Sequence, residues 1–444
     1  VWLFFFNRRR TMTSLTAARL QMTVSLAFHM IFAAIGIGMP LLLVIVEGLW
    51  LRTGKPHYKD LAKRWAKVTG LLFAVGAVSG TALSLELGLL WPKYMELLGA
   101  VVGHIFGLEG YAFFIEAIFI GLYLYGWDRL RPWTHWWCGV VIAVSGMLSG
   151  VLVLGVNAWM QQPVGFELTD GVVTVADPLA IFRQPLWASM AWHSTLACYM
   201  SVGFIVAGWY AGRLLSGRDD PATRSGLTIA MSMAAVSAVL QPLSGDLLAK
   251  SIFKTQPVKF AAMEGQFATE RRAPLRIGGW PDAENRTTRG AIEIPGGLSF
   301  LATGDFNAEV RGLDQFDRDL WPNVEFTHLA FQIMVGCGGA CVGLAAVYWI
   351  MWWRRHEALA SKRWLLKALI MGSPLGFLGL EAGWFVTEVG RQPWIIHGHM
   401  RTAAAVTPAA GVPLMLATFT ALYLVLGVTV LILLRRIAMK PAHP

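Results

Sequence analysis

The sequence predicts an all-α integral membrane protein: a bundle of about nine transmembrane helices with one large extracytoplasmic loop. Three observations lead there. Hydrophobic residues make up 55% of the 444 and charged residues 14%, whereas a soluble chain carries about 25% charged residues. Apolar runs of roughly 20 residues, enough to cross a hydrocarbon core, recur along the chain, and the mean hydropathy is +0.53. The loops alternate between cation-rich and cation-poor, the pattern of a chain that threads back and forth through a bilayer.

In chain order, "VWLFFFNRRR" comes first. Its apolar run precedes its basic run, the reverse of a secretory signal, and is too short to span. Residues 1–21 are therefore expected to form an amphipathic lead-in at the membrane surface. Spans follow at approximately 22–50, 68–90, 105–126, 135–157, 189–213, 226–248, 326–353, 365–388 and 412–434. Residues 22–248 thus hold spans one to six, and 326–436 hold spans seven to nine. Their Gly, Ala and Ser content lets helices approach closely in lipid.

Cations follow every second span: Arg52 to Lys67, Arg129 and Arg131, Arg213 to Arg224, Arg354 to Lys367, and Arg435 to Lys440. The positive-inside rule places these loops and the tail, 437–444, in the cytoplasm and the N-terminus outside. Arg8 to Arg10 depart from that pattern. The segment 249–325 carries charges, prolines and glycines without a spanning run, so it is an extracytoplasmic loop too long for a mere connector. The net charge of +10 is assigned to the cytoplasmic loops, not to a nucleic-acid partner. Cys138, Cys198, Cys337 and Cys341 form no CxxC pair, which argues against zinc and a disulfide framework.

Ionisable groups are costly in hydrocarbon, roughly 2.5–3.5 kcal/mol each at a helix centre, and they mark cofactors, proton relays or substrate paths. The spans hold His29, Glu47, Glu86, Glu109, Glu116, His193, Glu381 and Glu388. A lone buried His is more often a satisfied core residue than a ligand, and a lone Met is normally packing. Yet His193 and Met334 fall at one membrane depth by the topology above, and imidazole plus thioether is an axial pair for low-spin haem. Glu109 and Glu116 lie seven apart on one helix face, as do Glu381 and Glu388 with Trp384. Snorkelling to an interface accounts for Glu109 and Glu388 but not for the deeper Glu116. Ser149 and Asn157 extend the polar row along span four. In the loop, Lys259 and Glu264 of "QPVKFAAMEG" suit either a solvated surface or a polar substrate site.

These residues carry a resemblance. The chain resembles subunit I of cytochrome bd-type quinol oxidases, including the cyanide-insensitive branch, over residues 17–436. The shared strings are "RLQ" before His29, "GLEGYAFFIEAIFIGLYLYGWDRL", "NAWMQQP", the Lys259–Glu264 stretch, "FQIMVGCG" and "EAGWFVTEVGRQPW". The resemblance implies that His193 and Met334 are axial ligands of a low-spin haem b. It puts His29 and Glu388 at the iron ligands of a high-spin haem pair, with Glu109 a second carboxylate beside them. One of that pair is a high-spin haem b; the third haem is d, or b in the cyanide-insensitive branch. Glu116 and Ser149 fall on a proton path, Lys259 and Glu264 in the quinol-binding Q-loop, and Trp384 between the haems. Arg391 is placed toward haem propionates, and Arg19 of "RLQ" among the cofactor-binding residues. Two positions depart from a member of the family: Gln332 stands where it has Arg, and Glu86 where it has Gln.

The resemblance further implies a terminal oxidase of the bacterial cytoplasmic (inner) membrane that oxidises quinol at the outer face and reduces dioxygen to water with cytoplasmic protons. Its expected partners are subunit II, a single-helix small subunit, quinol, dioxygen and membrane lipid. A haem-free, proton-coupled transporter is the rival class; it accounts for the acids but not for His193, Met334 and the loop motif. The sequence leaves open ubiquinol against menaquinol, haem d against haem b, and which high-spin haem takes His29 and which Glu388.

Overall fold

The structure is a computed structural model and describes residues 13–169, 172–355, 359 and 361–439. The lead-in expected for 1–21 lies outside the described residues up to position 12, as does the tail from 440 onward. From Ser14 the chain is already helical. The first helix, α1 (Ser14–Thr53), is capped by the Thr13 hydroxyl, which accepts the Thr16 N–H at 3.2 Å.

Six helices begin on proline: α2 (Pro56–Leu90), α3 (Pro92–Tyr125), α4 (Pro132–Gln161), α5 (Pro185–Leu215), α6 (Pro221–Thr255) and α7 (Pro257–Glu264). The missing N–H is harmless at a helix start, and the fixed φ suits it. Helices overrun the expected spans: α2 starts at Pro56, not near 68, and α3 at Pro92, not near 105. Hydropathy locates the lipid-immersed part, whereas helical hydrogen bonding continues past it through Lys59, Lys63 and Lys67.

Beyond the loop helix α8 (Gly297–Thr303) come α9 (Val324–Arg355), α10 (Arg363–Gly372), α11 (Leu375–Val389), the short α12 (Thr402–Ala405) and α13 (Val412–Met439). The eighth span is two helices, not one. It breaks at Ser373 and Pro374, where the proline ring removes a helical donor. The break packs tightly on α5: a Cβ at Gly376 would come within 2.5 Å of the Ser201 backbone. Among the described residues, nine helical segments are long and apolar enough to cross a membrane, with α10 and α11 together making one.

α1 is the central helix and packs against α2, α4, α5 and α13. α3 lies on α4, α5 on α6, and α9 on α6 and α11. Leu42, Leu43 and Val46 of α1 meet Leu61 of α2, Ile142 of α4 and Phe204 of α5 in the main core. Ile118, Val236, Val239 and Leu431 point outward from the bundle, as apolar side chains in contact with lipid do.

Between α6 and α9 lies the loop. It contains α7, α8 and three antiparallel ladders: Leu275–Ile277 with Ile292–Ile294, Trp280–Asp282 with Thr287–Arg289, and Glu270–Arg271 with Glu309–Val310. The first turns of α9 hold it in place. The Gln332 amide donates to the Arg276 carbonyl (3.1 Å) and accepts the Gly278 N–H (2.9 Å). The His328 ring nitrogens face the Met263 and Gly278 carbonyls at 2.8 and 3.1 Å.

Candidate functional site

His29 and His193 sit on different helices but are built alike. His29 of α1 has Nδ1 3.0 Å from the Ser79 hydroxyl of α2, and that hydroxyl donates to the Gly76 carbonyl at 3.1 Å. His193 of α5 has Nδ1 3.0 Å from the Ser244 hydroxyl of α6, which donates to the Gln241 carbonyl at 2.8 Å. In each case the serine proton is committed to a carbonyl, so the serine accepts from Nδ1–H. The Nε2 lone pair is then presented outward, the form in which imidazole ligates a metal. Gly80 and Gly245, the residues after the two serines, clear space under the rings. A Cβ would come within 2.9 Å of the His29 Cε1 and within 3.3 Å of the His193 Cε1. The Gln241 amide lies over the His193 ring, 3.3 and 3.2 Å from its two nitrogens, and donates to the His193 carbonyl. The sequence signal missed here is the repeated Ser-Gly pair, 79–80 and 244–245.

Met334 lies on α9 against α11. A Cβ at Gly383 would come within 2.9 Å of its Sδ, so that glycine keeps room beside the thioether. α5 and α9 both start on the loop face, and both pack on α6 and α11. Their ligand candidates sit about 12 and 15 Å from the helix starts, at 1.5 Å per residue. No direct contact between His193 and Met334 is among the described interactions. Trp384, adjacent to Gly383, packs against the buried cluster that contains Leu154, Met190 and Val386, and its buried Nε1 has no partner among the described residues.

The acids divide between two levels of α4. Ser149 donates to Glu109 Oε1 at 3.1 Å. Eight residues on, Asn157 donates to Glu388 Oε1 at 2.7 Å, and the Arg391 guanidinium pairs with Glu388 Oε2. Each carboxylate oxygen of Glu388 keeps a further lone pair for a ligand. Arg391 is buried, with Nε and Nη1 unpartnered among the described residues, so further hydrogen-bond acceptors can be taken there. Glu116 is buried between α1 and α4: a Cβ at Gly146 would touch its Oε1 at 3.1 Å, and that oxygen has no partner. Glu381 Oε1 is likewise unpartnered. Glu86 of α2 accepts from the Tyr423 hydroxyl of α13 at 3.2 Å. Arg19 is exposed near the start of α1. His29 makes no described contact with Glu109 or Glu388, and no cage of three His, Cys, Asp or Glu side chains occurs among the described residues.

Lys259 and Glu264 are both buried on α7, but they serve different neighbours. Five residues on a helix differ by about 140° in direction. Lys259 turns toward the end of α11 and α4, donating to Gln161 Oε1 at 3.2 Å and the Thr387 carbonyl at 3.4 Å. Burial lowers its pKa to about 7, with Arg391 adding to the effect and Glu388 opposing it. Glu264 lies on the side of Arg276; burial raises it to about 8 against that arginine's pull. Gln161 also donates to the Thr387 carbonyl at 3.2 Å, so it joins the loop to the Glu388 cluster.

The family model described as cytochrome bd terminal oxidase subunit I matches residues 17–442. A protein of Bacillus subtilis (strain 168), provisionally named cytochrome bd menaquinol oxidase subunit I, is 35% identical over 427 residues, 95% of this chain and 96% of the relative. The cytochrome bd ubiquinol oxidase subunit 1 of the same organism is 31% identical over 447 residues, covering 97% and 95%. The solved structure of bd oxidase from Geobacillus thermodenitrificans aligns with a TM-score of 0.92 at 36% identity, over 97% of this chain and 99% of that one.

Proposed function

The chain belongs to the cytochrome bd terminal oxidase subunit I family, and from that premise we propose how its residues divide the work. It is the haem-bearing catalytic subunit of a quinol:oxygen oxidoreductase, a multi-pass protein of a bacterial membrane that works with subunit II. We place the loop and the N-terminus outside, the C-terminus in the cytoplasm, and a single-helix small subunit beside the pair.

His193 and Met334 would hold a low-spin haem b. His29, Glu388 and Glu109 would serve a high-spin pair, the third haem being d or b. Bound haem supplies electron transfer and the reduction of dioxygen to water. The serine-fixed tautomers present Nε2, Gly383 leaves room for the thioether to ligate, and the open guanidinium positions of Arg391 suit propionates. Trp384 fills the apolar space between the sites.

At the outer face, Glu264 accepts a proton from a quinol hydroxyl and passes it outward. Its elevated pKa matches a base working near neutral pH. Lys259, bonded to Gln161 and Thr387, positions the loop that carries Glu264 against the Glu388 cluster. On the inner side, Glu116 and the Glu109–Ser149 pair carry cytoplasmic protons toward the reduction site. Uptake inside and release outside build a proton gradient without a pump.

The observation that carries this reading is the repeated Ser–His arrangement on a glycine floor, which prepares two intramembrane histidines as ligands. A proton-coupled transporter has no use for it. The purified complex, given a quinol, is expected to consume oxygen, and Glu116→Gln is expected to slow consumption by at least about tenfold with haem content unchanged. A colourless preparation with no quinol-driven oxygen uptake would overturn the reading.

A further inference from the structure

One buried carboxyl has no part in the site described above. Glu86 of α2 is fully enclosed by protein, and Gln21 and Ser25 of α1 and Tyr423 of α13, all buried, surround its carboxyl. The Tyr423 hydroxyl donates to Glu86 Oε1 at 3.2 Å. Glu86 Oε2, the Ser25 hydroxyl and both amide atoms of Gln21 have no partner with hydrogen-bond geometry among the described residues. Polar atoms gathered in this way and shut off from solvent need water to satisfy them. An amide at position 86 would accept from Tyr423 equally well, and a family member carries Gln there. What a carboxyl adds is an exchangeable proton.

The cluster lies outward of His29 on the same helices. Gln21, Ser25 and His29 follow at every fourth residue of α1 and fall on one side of it. Ser79, which fixes the His29 ring, and Glu86 are seven apart on one side of α2, about 10 Å along its axis. The Tyr423 ring packs on Phe28, the residue before His29, with centroids 4.8 Å apart. The other charged or titratable groups at this end are Arg19 on α1 and, past the α2–α3 turn, Lys93 and Glu96, all exposed. No ion pair to Glu86 is formed among the described residues. An ionised carboxyl without a cation is costly inside a membrane, and charges at this separation still couple in a low-dielectric interior. The protonation of Glu86 is therefore tied to the charge held at His29.

We propose that Glu86, with Gln21, Ser25 and Tyr423, is a proton-holding site that offsets the charge of the high-spin haem on His29. This rests on the proposed oxidase reading. When an electron from quinol reaches that haem, Glu86 takes one proton from the enclosed water, and an O–H bond forms at Oε2. The proton is resupplied from water on the loop side, Gln21 being the member nearest that end of α1. When the electron passes on to dioxygen, the O–H bond breaks and the proton returns by the same water. One proton accompanies one electron in each direction.

The test uses the purified complex in equilibrium redox titrations over a range of pH, with redox-induced infrared difference spectra beside them. His29→Ala first identifies the high-spin signal that belongs to His29. In the unaltered protein the midpoint potential of that signal is expected to fall as pH rises, because reduction favours the protonated acid. Glu86→Gln should lower this slope and remove a carboxyl C=O band that shifts in heavy water. A slope or a band that persists unchanged in Glu86→Gln overturns the proposal. Tyr423→Phe takes a donor from the carboxylate, so the pH-dependent limb should move to higher pH. If Glu86→Gln fails to retain haem, Tyr423→Phe decides: a moved limb supports the site, and an unmoved one overturns it. Protein without haem, with no signal to titrate, overturns the oxidase reading itself and the proposal with it.

Discussion

At Glu264 burial shifts an ordinary carboxyl well above the usual carboxylate range. Burial raises it to about 8, so at pH 7 it is mostly protonated and becomes a proton acceptor only as pH rises through 8. The kcat/KM for quinol, which reports the free enzyme, is therefore expected to climb with pH along a limb centred near 8. Glu264→Gln should abolish that limb; a limb that survives the substitution shows that another group is the base. At this scale the sequence was informative about side chains and poor about their partners. His29, His193, Glu109, Glu116 and Glu388 stood out because ionisable groups are rare in apolar helices. Ser79 and Ser244 did not, since they come from neighbouring helices about fifty residues away and a serine in a span is unremarkable. Adjacency in sequence made Lys259 and Glu264 look like one site, whereas the helical turn between them sends them to Gln161 and to the side of Arg276.

Among the elements, the loop is held at its junction with α9. Gln332, where a family member carries Arg, uses its amide for two backbone hydrogen bonds to the loop. An amide is suited to this because it donates and accepts at once, which a guanidinium cannot do. Gln332→Ala is expected to loosen the loop by about 1–3 kcal/mol, two hydrogen bonds' worth. Amide exchange at Gly278 should accelerate at least about tenfold, while the exchange of α9 beyond that turn stays as it was. Unchanged exchange at Gly278 would show that the clamp holds nothing. Hydropathy located every span because the bilayer imposes a length of apolar residues. It did not locate helix ends, which the six leading prolines mark more directly, nor the break at Pro374. The short ladders of the loop left no alternating apolar pattern, because most of their side chains face solvent or other loop segments.

For the molecule as a whole, α1 is the axis on which the parts meet: His29 toward one face, Glu47 toward the other, Gly36 beside Glu116 between them. Fold class and family were legible from the sequence; the vertical order of the acids was not, since it needs α3 and α4 in register. The central claim is that His193, fixed by Ser244 and facing the level of Met334, ligates a low-spin haem. The most direct measurement is the reduced-minus-oxidised spectrum of the purified complex carrying His193→Ala, beside the unaltered protein. The account predicts loss of the low-spin b signal with the high-spin signals retained; a low-spin signal that persists at full strength would contradict it.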